Sequence, residues 1–198
     1  PYIDYNTFSD GGWVTHIGNN TIFTFPAMKK FYIDTSIEFR IFESNYQPTY
    51  FDSFYEIHKF ALPQTTTPKW AFLDGLNSDP LVHGWYAEAL TMWLGVIGIK
   101  GIYEDYNTGL PNAAAYLDFP LLDSMILRGY YYKTMVEGWN DLFTLDDRSL
   151  LTAQIGFQII PFTYLMADFT RTYQINDLSR RYEAVDSWQF GIQARFTF

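Results

Sequence analysis

Apolar and polar side chains alternate with a period of two over much of this chain. Ile33, Thr35, Ile37, Phe39 and Ile41 interleave with Asp34, Ser36, Glu38 and Arg40. Ile97, Ile99, Gly101 and Tyr103 interleave with Gly98, Lys100, Ile102 and Glu104. Leu151, Ala153, Ile155, Phe157 and Ile159 alternate with Thr152, Gln154, Gly156 and Gln158, and Leu165, Ala167 and Phe169 with Met166, Asp168 and Thr170. A strand sends successive side chains to opposite faces, so each segment has one apolar and one polar face. Pro26, Pro63, Pro68, Pro120 and Pro161 fall in short connections, and Pro48, Pro80 and Pro111 in connections that are mostly longer. Proline cannot donate to a β-ladder, so these positions mark strand ends. Residues 80–94 carry a competing helix signal. Asp79-Pro80 reads as a cap, Ala87-Glu88-Ala89-Leu90 are helix formers and Gly95 is a candidate stop. Gly84, Trp85-Tyr86 and Thr91-Met92-Trp93 oppose it, and strand is expected there.

The last eleven residues show the alternation most clearly. Trp188, Phe190, Ile192, Ala194, Phe196 and Phe198 occupy even positions, and Gln189, Gly191, Gln193, Arg195 and Thr197 the odd ones. This ending, with a final Phe and alternate apolar positions before it, resembles the C-terminal strand of bacterial outer-membrane β-barrels. The resemblance implies an all-β fold: a single-domain transmembrane antiparallel up-and-down barrel spanning residues 1–198. Counting back from Phe198, connections at 160–162, 120–123, 95–96, 62–67 and 26–30 are short. Those at 175–186, 136–148, 75–83, 43–52 and 9–19 are long, and 107–112 is intermediate. Short turns at one end and longer loops at the other suit such a barrel, with about twelve strands and both termini on the periplasmic side. Ten is the competing count, because residues 1–25 and 68–74 alternate weakly.

Composition supports the same class. Aromatic residues make up 20% of the chain, yet mean hydropathy is −0.12. A barrel wall with one lipid face, one polar face and aromatic girdles accommodates that combination. The most hydrophobic stretch, Ala87 to Ile99, contains Glu88 and Gly95 and is shorter than the roughly 18 apolar residues a membrane helix needs. Cysteine is absent, which excludes disulfides and thiolate metal sites. A net charge of −9 argues against nucleic acid as a partner. The chain opens at Pro1 with no signal peptide, as a processed product or as a piece of something longer.

Charges at membrane depth must face a wet lumen or pair with one another. The polar faces collect Glu38, Arg40, Glu88, Lys100, Glu104, Arg128, Asp168 and Arg195, together with Asp34, Glu56, His58 and Asp118. Either these fill a narrow barrel with salt bridges, or the first eight line a path. In the second case Arg40, Lys100, Arg128 and Arg195 face Glu38, Glu88, Glu104 and Asp168 and set a transverse field. Trp85, Trp93, Tyr173, Trp188 and Phe198 are expected at the membrane interfaces, with Trp13, Trp70 and Trp139 near strand ends. A sugar-stacking role for Trp13 or Trp139 is secondary. Asp146-Asp147 has the chemistry for a divalent cation, but such a pair is more often a solvated loop tip, and no metal or other cofactor is expected.

An enzyme is not expected. Barrel phospholipases carry a His-x-Ser arrangement, and His16, His58 and His83 each lack Ser two places on. Omptin-type barrel proteases pair Asp-x-His with two further aspartates, and the nearest match is Glu56-Ile57-His58. The leading expectation is a porin-like channel for passive diffusion of small polar solutes, surrounded by outer-membrane lipid. The alternatives are a closed barrel that anchors or joins an envelope assembly through a protein partner, the translocator domain of a longer surface protein, and a soluble β-sandwich.

Overall fold

The computed structural model describes residues 1–7, 12–28, 30–43, 81–119, 124–176 and 181–194. Among them are ten strands: β1 (Tyr2–Thr7), β2 (Trp13–Thr24), β3 (Tyr32–Phe42), β4 (Val82–Trp93), β5 (Ile97–Tyr106), β6 (Asn112–Asp118), β7 (Met125–Lys133), β8 (Ser149–Ile160), β9 (Thr163–Asn176) and β10 (Arg181–Ala194). They form one antiparallel up-and-down sheet in chain order. Among the described residues no ladder joins β1 to β10.

The sheet passes directly from β3 to β4, with Tyr32 opposite Met92 and Phe42 opposite Val82. No strand intervenes, so the expected twelve strands become ten in this sheet. The two further strands expected between 43 and 83 lie outside the described residues, as do Glu56, His58 and Trp70. Residues 82–93 are a strand throughout, because β4 is hydrogen-bonded along both edges, to β3 and to β5. Tertiary pairing overrides the helix propensity of Ala87 to Leu90.

The connections alternate as expected. At one end of the sheet β2 meets β3, β4 meets β5, β6 meets β7 and β8 meets β9; at the other end fall the junctions β1–β2, β3–β4, β5–β6, β7–β8 and β9–β10. The chain enters β1 and leaves β10 at the first of these ends. Two connections are shorter than the alternation alone suggests, since β2 begins at Trp13 and β9 continues to Asn176. The β4–β5 turn is closed by Val96 N–H donating to Trp93 C=O at 3.0 Å. Leu94 and Gly95, at φ 55° and 68°, are both left-handed, as a tight I′-type hairpin requires.

Burial divides the sheet in an inverted way. In β3, Glu38 is 8% exposed and Arg40 4%, whereas Ile37, immediately before them, is 54% exposed. Even positions of β1 to β9 share this face through their cross-strand partners, such as Gly18↔Glu38↔Tyr86↔Glu104. The phase switches at the last hairpin, where Trp188 pairs with Phe169 and Gln189 with Asp168. Exposed Ile99, Trp85, Leu165, Phe190 and Ile192 all belong to the other, apolar face.

Candidate functional site

The polar face carries two linked groups of charge. Alternation places Glu38 and Arg40 on β3, Glu88 on β4, Lys100 and Glu104 on β5, Arg128 on β7 and Asp168 on β9, all with the same orientation. Arg40 is the hub of the first group. Its Nε donates to Glu38 Oε2 at 2.6 Å, Nη1 lies 3.6 Å from Glu104 Oε1, and Nη1 donates to the Tyr106 hydroxyl at 3.3 Å. The guanidinium stacks on Tyr86, with Cζ 3.6 Å from the ring centre. A planar, always-charged group so enclosed needs several partners at once, and here it has them. Glu38 also accepts from the Tyr2 hydroxyl and lies 3.3 Å from His16 Nδ1. The Tyr86 hydroxyl donates to Glu88 at 2.6 Å, and Lys100 Nζ reaches Glu88 at 2.8 Å. In the second group Arg128 bonds Asp118 and Gln154, each at 3.2 Å, and Gln154 donates to Asp168 at 2.7 Å.

Seven of the eight expected lining residues therefore share one face; Arg195 lies outside the described residues, as does Phe198. The expected field of opposite charges facing one another takes another form. The ion pairs join residues of the same strand, of adjacent strands or, for Arg40 and Glu104, of strands two apart, where side chains on one face of a sheet come within reach of each other. Arg128 meets Asp168 only through Gln154. Tyr2, His16, Tyr86, Tyr106 and Gln154 complete the network and were not singled out by charge, although their even numbering places them on this face. The polar face also buries apolar side chains. Val14, Phe42 and Val82 cluster beside Tyr106 at the loop end, and Ile126, Tyr164 and Met166 at the turn end.

The described aromatics expected at membrane interfaces, Trp85, Trp93, Tyr173 and Trp188, lie on the opposite face. Trp85 and Trp93 project from the two ends of β4, roughly 26 Å apart along the strand at about 3.3 Å per residue. Trp188 packs on Phe169 with ring centres 4.8 Å apart. Tyr173 pairs with Ala184 on the same face. Trp139 is not at a strand end; it lies in the β7–β8 loop.

That loop holds a third charge cluster, on the apolar side of the sheet. Lys133 has the parity of that face, as have its partners Ala113 and Ser149, and it is fully buried. Its Nζ donates to Asp146 Oδ1 at 2.6 Å, to Thr144 C=O at 2.8 Å and to Ser149 Oγ at 3.2 Å. Arg148 bonds Asp141 Oδ1 and Asp146 Oδ2, each at 2.8 Å, and Met135 C=O at 2.8 Å. The Tyr131 hydroxyl donates to Leu142 C=O at 2.6 Å, and Tyr182 hydrogen-bonds Asp147. Asp146 is thus not a solvated loop tip: its oxygens are committed to Lys133 and Arg148. Burial disfavours its ionisation, but hydrogen bonds from Lys133 and Arg148 outweigh that and hold its pKa down at about 2.

The fold and these clusters define the chain as an all-β antiparallel meander with one charged and one apolar face. Comparison with protein-family models, with characterised proteins and with solved structures finds no match.

Proposed function

We propose that this chain forms a transmembrane β-barrel wall in a bacterial outer membrane, with the charged face turned to the lumen, and that it passes small polar solutes by diffusion. The inverted burial carries the membrane reading. Exposed isoleucine, leucine, phenylalanine and tryptophan alternate with buried Glu38 and Arg40, and an aqueous exterior would favour the reverse. Strand tilt of about 35–45° reduces the separation of Trp85 and Trp93 to about 19–22 Å across the membrane, which fits within the roughly 25 Å of an outer-membrane apolar band.

The diffusion reading rests on the second charge group. Arg128 and Asp118 keep about a third and a half of their side-chain surface accessible, so cations and anions are both offered to solutes on one wall. Single-channel recording in planar lipid bilayers tests it. Small ohmic steps are expected, and Arg128→Glu shifts the reversal potential in a salt gradient toward cations. A fully ion-tight protein overturns diffusion and leaves the second reading, a filled barrel that serves as an envelope anchor. The packing of Val14, Phe42 and Val82 against Tyr106, which Arg40 bonds, favours that second reading, since barrels near eight strands are filled by their side chains.

A further inference from the structure

We propose that the 134–148 loop is a strap folded outward over the wall, which sets Trp139 and Phe143 into the headgroup layer of the surrounding lipid. The inference rests on the membrane reading above and deepens it. A loop at the mouth of a barrel has two courses: inward over the lumen, or outward over the lipid-facing wall. Here the direction is fixed by parity. The strand side chains beneath the loop have the orientation of Ile37, Trp85 and Phe190: Tyr131 and Lys133 on β7, Ser149 on β8 and Tyr182 on β10. Asn112, of the other orientation, touches it only at the first position of β6, where it accepts from Met135 N–H at 3.2 Å.

The loop's own chemistry fits that course. Most of its charge is spent inward: Lys133 of β7 is sealed under the loop with Asp146, and Arg148 clamps Asp141 and Asp146, while Glu137 and Asp147 stay at the surface. Val136 is buried, but the loop's two aromatic side chains turn outward. Trp139 is 84% exposed and Phe143 79%, with the short 3₁₀ turn Asp141–Phe143 between them. Phe143 is held by the same turn whose Leu142 carbonyl accepts from Tyr131. A solvated loop gains nothing by sealing its charges and displaying its aromatics. A segment resting against the edge of an apolar band does, because amphipathic rings are favoured at the headgroup level and unpaired charges are not. The lipid is thus the occupant, continuous with the face the wall already presents to it.

The absence of cysteine makes the test direct. Three single-cysteine variants, Phe143→Cys on the strap, Phe190→Cys on β10 and Gly109→Cys in the β5–β6 connection, are labelled with an environment-sensitive fluorophore. Each is reconstituted in phosphatidylethanolamine–phosphatidylglycerol vesicles. Quenching is read with aqueous iodide and with lipids carrying a nitroxide at shallow or deep positions. The label at 143 is expected to be quenched by the shallow nitroxide and severalfold less by iodide than the label at 109. The label at 190 is expected to respond to nitroxide lipids alone. Iodide quenching at 143 equal to that at 109, with 190 still in lipid, overturns the strap and leaves the barrel standing. Iodide access at both 143 and 190 overturns the membrane reading itself.

Discussion

Lys133 is a fully buried cation at the end of a strand, and its burial is tolerable only because Asp146, Thr144 and Ser149 converge on it. The link is sensitive to acid in one direction. Asp146 ionises at about 2 in the folded protein, below its ordinary 3.8. A depressed carboxylate contributes stability that is complete above the unfolded value and is lost as pH falls through the folded one. The strap should therefore stay closed at neutral and mildly acidic pH and loosen between about pH 4 and pH 2. Pepsin digestion checks this: cleavage within 134–148 should rise across that interval and be absent from the strands. Uniform cleavage of the whole chain would contradict it. At this scale the sequence was half legible. Parity alone put Glu38, Arg40, Lys100 and Glu104 on one face. Nothing local distinguishes Asp146 from Asp147, because Asp146 takes its role from a lysine in the preceding strand and from the way the loop folds back.

Among the elements, β4 shows how tightly neighbouring strands approach. A Cβ added at Gly84 would lie 2.0 Å from the Asp105 carbonyl oxygen and 2.7 Å from Tyr106 Cα. Both obstacles are backbone, so neither can swing aside. Gly84→Ala is expected to pry β4 from β5 at the loop end and to destabilise the protein by about 1–3 kcal/mol, the usual range for overpacking. Gly101→Ala meets nothing within 4 Å and should leave stability within experimental error. Urea unfolding followed by tryptophan fluorescence separates the two, and equal midpoints would refute the steric account. The strands themselves were largely readable from alternation, and even the phase switch into β10 followed from counting. At Gly84 the sequence offers only an argument against helix, since the need for a glycine there arises from a partner 22 positions away.

For the whole molecule, the open question in the sheet order has a geometric answer under the barrel reading. Ten strands about 4.8 Å apart, tilted by about 35–45°, require a total stagger of roughly 10–14 residues on closure. Carrying the nine ladder registers around from Asp4 on β1 then brings β1 opposite the stretch of β10 centred near Gln193. Asp4→Cys with Gln193→Cys, or with Gly191→Cys, is expected to form an intramolecular disulfide that speeds migration of the denatured protein on gels. Disulfides that appear only between molecules would show that these edges take strands from elsewhere. The strand count was the least legible feature. Turn spacing favours about twelve over ten, and the direct β3–β4 pairing sets ten in the sheet of described residues.

That junction also shapes how the sheet is made. Eight of the nine ladders join strands separated by short or moderate connections and can zip as hairpins. The β3–β4 ladder must first close the span 43–81. Relative to a four-residue turn, the chain entropy of that closure is roughly 2 kcal/mol. Folding should consequently have two kinetic stages. The hairpins from β4 to β10 form first, and β1–β3 dock as a unit later, at a rate set by the length of the intervening chain.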